Sequence, residues 1–228
     1  MIDFRGFWET RIGIETKKET IRSLKTDDDL PDVPFNGVKV TDFDRDDKYF
    51  EKLFDLRGVE LVEEHFESSD FSYINFSYAK FVDCTFNDVN FFCARFHEAE
   101  IINCKFSGCS FEGMYANKLS FKSCHLEKSS FNSCFLVDMT VNESNFLNSN
   151  FSSSRIKSPD FIRSSIESCD FSWARVVPTK SCVALFNKNN KSLNLNNVQW
   201  FNVEGQPISD PLNQAGIIGV LKSLKSLK

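Results

Sequence analysis

The sequence predicts a solenoid of stacked short units, on two observations. A large apolar residue returns at every fifth position from Leu56 to Val176, and a small residue stands two places before most of these centres. Reading forward, the centres are Phe66, Phe71, Phe76, Phe81, Phe86, Phe91, Phe96, Ile101, Phe106 and Phe111. After Ala116 they resume as Phe121, Leu126, Phe131, Leu136, Val141, Phe146, Phe151, Ile156, Phe161, Ile166, Phe171 and Val176. Leu56 and Leu61 extend the series backward in the same phase. Only Ala116 breaks the large-apolar rule, and no insertion breaks the count. A helix would repeat at 3.6 residues and a half-buried strand at 2, so this period belongs to an internal repeat.

The second position carries small residues such as Ala79, Cys84, Ala94, Cys104, Ser129 and Cys169, and the other three are mostly Ser, Asn, Asp, Glu and Lys. Typical units are Ala79-Lys80-Phe81-Val82-Asp83, Cys84-Thr85-Phe86-Asn87-Asp88 and Cys169-Asp170-Phe171-Ser172-Trp173. This signature resembles the pentapeptide-repeat family over a little more than half of the chain. The resemblance implies an all-β solenoid, a right-handed quadrilateral parallel β-helix with four units per coil. Centre and small residue would point inward. A unit cannot bury its apolar residue alone, so stacking supplies the core.

Four units of five place residue i over residue i+20, at the ordinary inter-strand distance of ~4.8 Å. Folded in this way, one side carries Phe71, Phe91, Phe111, Phe131, Phe151 and Phe171 as an unbroken stack. Another gathers Cys84, Cys104 and Cys124 in a column, followed by Ser144 and Ser164. Uniform columns at this period support the square coil. Roughly six coils make a rod about 30 Å long.

Three regions follow. Residues 1–55 lack the repeat. Within them Phe4, Phe7 and Trp8 can pack, Thr16 to Lys25 is charged and compatible with a helix, and Asp27 to Asp32 reads as a solvated acidic turn. Tyr49, Phe50, Leu53 and Phe54 fall at helical spacing behind Asp46 and Asp47, which predicts a helix over 46–56. Such a helix would cap the open edge of the first coil. Residues 56–176 form the repeat. Residues 177–228 open on Pro178 and read as a last irregular coil or lid, followed by a helix from Asp210-Pro211. Its apolar stripe of Ile217, Val220, Leu221, Leu224 and Leu227 suits a cap and dimer interface, an anionic membrane surface or a partner-docking helix, with Lys222, Lys225 and Lys228 on the polar side.

The net charge of −5 is unevenly spread, at −4 over 1–55, −5 over 56–176 and +4 over 177–228. A mildly acidic rod lacks the clustered basic surface of a nucleic-acid binder, so no direct nucleic-acid contact is expected. No run of 18 apolar residues is present, so no membrane span is expected and the cytoplasm is the expected location. Six of the eight cysteines occupy the small inward position, where a free thiol packs as a compact hydrophobe. His65, His97 and His125 are far apart in the repeat, and no Gly-rich phosphate loop, HExxH or GxSxG motif is found. The expectation is a protein that is not an enzyme and uses no cofactor or metal.

Outward aromatics, namely Tyr73, Tyr78, Phe92, Tyr115, Phe135 and Trp173, are candidates for a contact surface. Most specifically, the resemblance implies a DNA-mimicking rod that binds DNA gyrase or topoisomerase IV, protects it from a drug or toxin, and dimerises through its C-terminal helix. The alternative is a general protein-interaction scaffold or bacterial effector with no topoisomerase role. A negative stripe along one face would favour the first, and a mixed surface with an aromatic patch the second.

Overall fold

The computed structural model describes residues 3–26, 28–33, 53–209 and 211–212. Its central feature is a right-handed quadrilateral parallel β-helix whose strands pair at i and i+20 throughout the repeat. Four faces result. Face 1 stacks Leu61, Phe81, Ile101, Phe121, Val141 and Phe161, and face 2 stacks Phe66, Phe86, Phe106, Leu126, Phe146 and Ile166. Face 3 carries the Phe71 to Phe171 stack and is held by single parallel bridges from Asp70↔Asn90 to Asp170↔Asn194. Face 4 runs from Phe54–Asp55 through Ile74–Asn75, Tyr115–Asn117, Phe135–Val137, Arg155–Lys157 and Arg175–Val177 to Gln199–Phe201.

The inward phase explains the core. Phe71, Phe91, Phe111, Phe131, Phe151 and Phe171 are each at most 3% exposed, and Cys84, Cys104 and Cys124 at most 2%. From Phe91 to Phe171 the rings of face 3 lie nearly parallel at 4.6–4.8 Å between centroids, which is the coil spacing itself. Ala116, the small centre, is itself buried, as are the larger Met114 and Leu119 on either side of it in sequence.

The corners are made by backbone geometry. The residue two places after each centre has positive φ without a gap from Glu63 to Trp173, mostly near +50° to +60°. Glycine takes this place at Gly58, Gly108 and Gly113, and Asp, Asn, Ser, Lys, Glu or an aromatic fills most of the others. An L-residue in this region costs about 1–2 kcal/mol. The inter-coil hydrogen bonds and the buried centres on either side of each corner offset that cost.

The N-terminal end is closed by α1 (Phe4–Glu9) and α2 (Arg11–Thr26). Asp3 caps α1 by accepting from the Gly6 N–H. Phe4, Trp8 and Leu24 are buried against the first coil, and Lys25 sits over the Phe66 ring while pairing with Glu64. The helix expected over 46–56 is corrected at its end. Phe54–Asp55 is the first strand of face 4, because the Phe54 N–H bonds the Tyr73 carbonyl and the Leu56 N–H that of Asn75. The remainder of that expected helix, residues 46–52, lies outside the described residues.

Gly58 is where α1 meets the rod. It has φ +72°, and a Cβ there would stand 2.9 Å from the Arg5 nitrogen, the Phe4 carbonyl carbon and Phe4 Cβ. Gly58→Ala should therefore lift α1 and cost about 1–3 kcal/mol. Hydrogen exchange checks this: α1 amides should exchange faster while those around Phe111 stay protected.

At the other end α3 (Lys180–Asn189) replaces the first two sides of a coil. Thr179 caps it by accepting from the Cys182 N–H, and Ser181 Oγ accepts the Phe161 N–H at 3.0 Å, where the next strand's carbonyl would otherwise stand. Phe186 then packs on Phe171 at 4.7 Å and on Trp200 at 5.9 Å. The chain rejoins the stack four residues late, so Arg175↔Gln199 and Val176↔Trp200 pair at i+24. An antiparallel strand, Pro207–Ile208, covers the last edge of face 4. The coil thus starts before Leu56 and continues beyond Val176. The stripe of Ile217, Val220, Leu221, Leu224 and Leu227 lies outside the described residues.

Candidate interaction surface

Side chains fill the coil interior, so binding chemistry has to be sought on the outside. The open clefts found among the described residues sit toward the rod's ends. One of about 530 Å³ is lined by Glu167, Ser168 and the last residues of α3 with the turn after it, Asn187 to Ser192. Another of about 320 Å³ lies between the end of α2 and Asp70, Ser72 and Ile74.

Apart from Cys84, whose pKa a hydrogen bond with Cys104 lowers but which is buried, the cysteines offer little reactivity. All eight are free thiols, and burial pushes Cys109, Cys124 and Cys169 up to about 11. Cys93, the half-exposed one, is also raised, first by burial and then by the nearby Glu112 charge. A thiol so raised stays protonated at neutral pH and is a poor nucleophile. His65 and His125 both stand on face 2, three coils apart, and no group of three or more His, Cys, Asp or Glu among the described residues is placed to hold a metal.

Charge is sorted by face. Faces 1 and 2 and the corner between them carry Glu60, Glu63, Glu67, Asp83, Glu100, Glu127, Glu143, Asp160 and Glu167. Set against these are Lys80, Lys105, Lys122 and Arg163. Two of these cations are neutralised locally, in Lys80–Glu60 at 3.3 Å and Arg163–Glu143 at 2.6 Å, each across one coil step. Face 4 differs. Its outward positions beyond the first coils are Tyr115, Phe135, Arg155 and Arg175 in one column, and Asn117, Val137, Lys157 and Val177 in the other.

The outward aromatics divide in the same way. Tyr78 lies beneath Phe4, with rings 6.2 Å apart and nearly parallel, so it belongs to the N-terminal cap. Tyr73 packs edge-on against Phe92. Tyr115 and Phe135 stack at 4.6 Å on face 4, and Trp173, 61% exposed, stands at the corner leading into that face.

A family model described as pentapeptide repeats matches eight copies over residues 69–108. Residues 69–108 therefore carry pentapeptide repeats by sequence. Several solved structures, some of them described as pentapeptide-repeat proteins, are similar to this chain. HetL, a protein involved in heterocyst differentiation regulation from the cyanobacterium Nostoc sp. strain PCC 7120, is 10% identical with a TM-score of 0.39. That comparison covers 68% of this chain and 92% of HetL. QnrB1, a plasmid-mediated fluoroquinolone resistance protein, is 12% identical with a TM-score of 0.35, covering 76% and 97% of the two chains. A pentapeptide-repeat protein of the Arabidopsis thaliana thylakoid lumen is 16% identical with a TM-score of 0.33, covering 68% and 88%. No curated protein matches by sequence. With scores below one-half, the fold of the rod rests on its own register and on the repeat match over residues 69–108.

Proposed function

We propose that this protein is a non-catalytic pentapeptide-repeat scaffold that binds other proteins through the outer faces of its rod. The observation that carries this reading is the segregation of charge, with an acidic edge on faces 1 and 2 and a basic, aromatic surface on face 4. A rod that only needed to stay soluble would have no reason to sort its charges, since mixed signs serve solubility as well. A cytoplasmic setting belongs to the same reading, supported by eight cysteines that stand as free thiols.

The acidic edge supports a second reading, in which the rod mimics DNA and protects DNA gyrase or topoisomerase IV. Duplex DNA presents one negative charge per ~1.7 Å of axis, whereas Lys80, Lys105, Lys122 and Arg163 interrupt the edge here. A supercoiling assay with purified gyrase, with and without a quinolone, separates the two. The scaffold reading expects no change at a large excess of rod. Inhibition, or rescue from the drug, at stoichiometric protein would replace it with the topoisomerase reading.

A further inference from the structure

Face 4 carries a feature that stability opposes. Arg155 and Arg175 stand directly opposite each other in the parallel ladder, and Lys157 projects from the same strand as Arg155 on the same side. Like charges directly opposite in a sheet are destabilising. Elsewhere the rod answers a cation with a carboxylate one coil away, as in Lys80–Glu60, Lys118–Glu98 and Arg163–Glu143. Arg155, Lys157 and Arg175 have no ion-pair partner among the described residues, and all three are exposed. Lys105 and Lys122 are unpaired too, but no second Lys or Arg stands opposite them in their ladders.

The three cations are embedded in an ordered apolar frame. Phe135 and Val137 lie one coil before Arg155 and Lys157, and Val177 lies one coil after Lys157. The Arg175 guanidinium rests over the Phe201 ring at 4.8 Å, which fixes it before any partner arrives. Trp173, the most exposed of the described aromatics, begins the corner two residues before Arg175. Arg and Trp, framed by apolar side chains, are the residue types that carry most binding energy at protein interfaces.

We propose that this grid is a docking surface for an extended, acidic segment of a partner protein that carries apolar side chains between its carboxylates. The inference rests on the scaffold reading and names the chemistry of its partner. Alternate residues of an extended chain are separated by about 7 Å, which matches the separation of Arg155 from Lys157 along their own strand. Carboxylates at alternate positions can therefore reach both cations, and intervening apolar residues can meet Phe135 or Trp173. A polynucleotide is the poorer fit. Its affinity grows with the number of phosphates neutralised, and the adjoining corner presents Glu98 and Asp138.

Fluorescence anisotropy with four probes tests the proposal: labelled (Glu-Phe)4, (Ser-Phe)4 and (Lys-Phe)4 peptides and oligo-dT. The full chain should bind (Glu-Phe)4 more tightly than (Ser-Phe)4, and the binding should weaken with salt. The double variants R155Q/R175Q and R155E/R175E should each lose at least tenfold. The control K105E/K122E, with the same charge change as R155E/R175E on faces 1 and 2, should stay within about twofold. Equal losses in both glutamate variants would overturn the proposal, since the attraction would then be to net charge alone. Tighter binding of oligo-dT, lost in R155E/R175E, would also overturn it and make the surface a nucleic-acid site. Capture of (Lys-Phe)4 instead would overturn the assignment to face 4 while leaving a scaffold that works through its acidic edge. Binding of none of the probes would count against the scaffold reading as well.

Discussion

Replacing Phe111 by alanine should lower the stability of the rod by about 3–5 kcal/mol. The ring is fully buried and lies flat between Phe91 at 4.7 Å and Phe131 at 4.6 Å, with Phe96 and Phe106 edge-on beside it. Deleting it leaves a void in the middle of a stack. The neighbours cannot collapse into that void, because each is fixed in place by inter-coil bonds, Phe91 N–H to the Ser110 carbonyl and Phe131 N–H to that of Asn150. Loss of transfer free energy and of packing contacts therefore add. Ser107→Ala, on an exposed position of face 2, should shift stability by less than about 0.5 kcal/mol. Urea denaturation of the two variants checks both values, and equal tolerance would contradict the inward phase.

The second large effect is expected at Arg57. Its guanidinium is fully buried, donates from Nε to both Asp55 oxygens at 2.9 Å and lies over the Phe4 ring at 4.2 Å. Trp8 Nε1 donates to the Arg57 carbonyl at 2.9 Å, so this residue ties α1 to the first coil twice. Arg57→Ala removes the cation from a buried carboxylate and should cost about 3–5 kcal/mol. The double variant Asp55→Leu with Arg57→Met removes both charges at similar volume and should cost much less than the single variant. If the double variant is as unstable as Arg57→Ala, packing beneath Phe4 rather than the uncompensated charge dominates. The same denaturation experiment, run on both variants, decides between them.

The centres and small positions were legible because burial selects apolar character, and apolar character repeats. Residues 56–176 could be phased without a single insertion for that reason. The corners were not legible. Positive φ recurs every fifth residue, yet Ser, Asp, Lys, Tyr and Trp occupy those places, so composition carries no glycine signal. At the N-terminal end, the helical spacing of Tyr49, Phe50, Leu53 and Phe54 competed with the five-residue phase. Hydrogen bonding to Tyr73 and Asn75 decided for a strand from Phe54. At the other end Phe186 keeps the phase, but Ser181 in the preceding centre and Pro178 concealed that the coil continues through a helix.

The surface was half legible. Phe135 and Trp173 stood out as aromatics in polar positions. Arg155, Lys157 and Arg175 did not, because they become neighbours only when outward positions are compared twenty residues apart. The like-charge ladder is present in the sequence at that same interval, with Arg155 and Arg175 twenty residues apart.

Because a coil closes after twenty residues, position within that cycle acts as an address for direction around the rod. Loss of five residues from the middle of the repeat would keep every apolar centre inward and preserve the fold. It would nevertheless turn all later columns by a quarter revolution, so that a loss between Phe135 and Arg155 would move Arg155 and Arg175 off the side they share with Phe135. Loss of twenty would shorten the rod and leave every side intact. Core and surface therefore tolerate different insertions and deletions, and only changes by whole coils keep both.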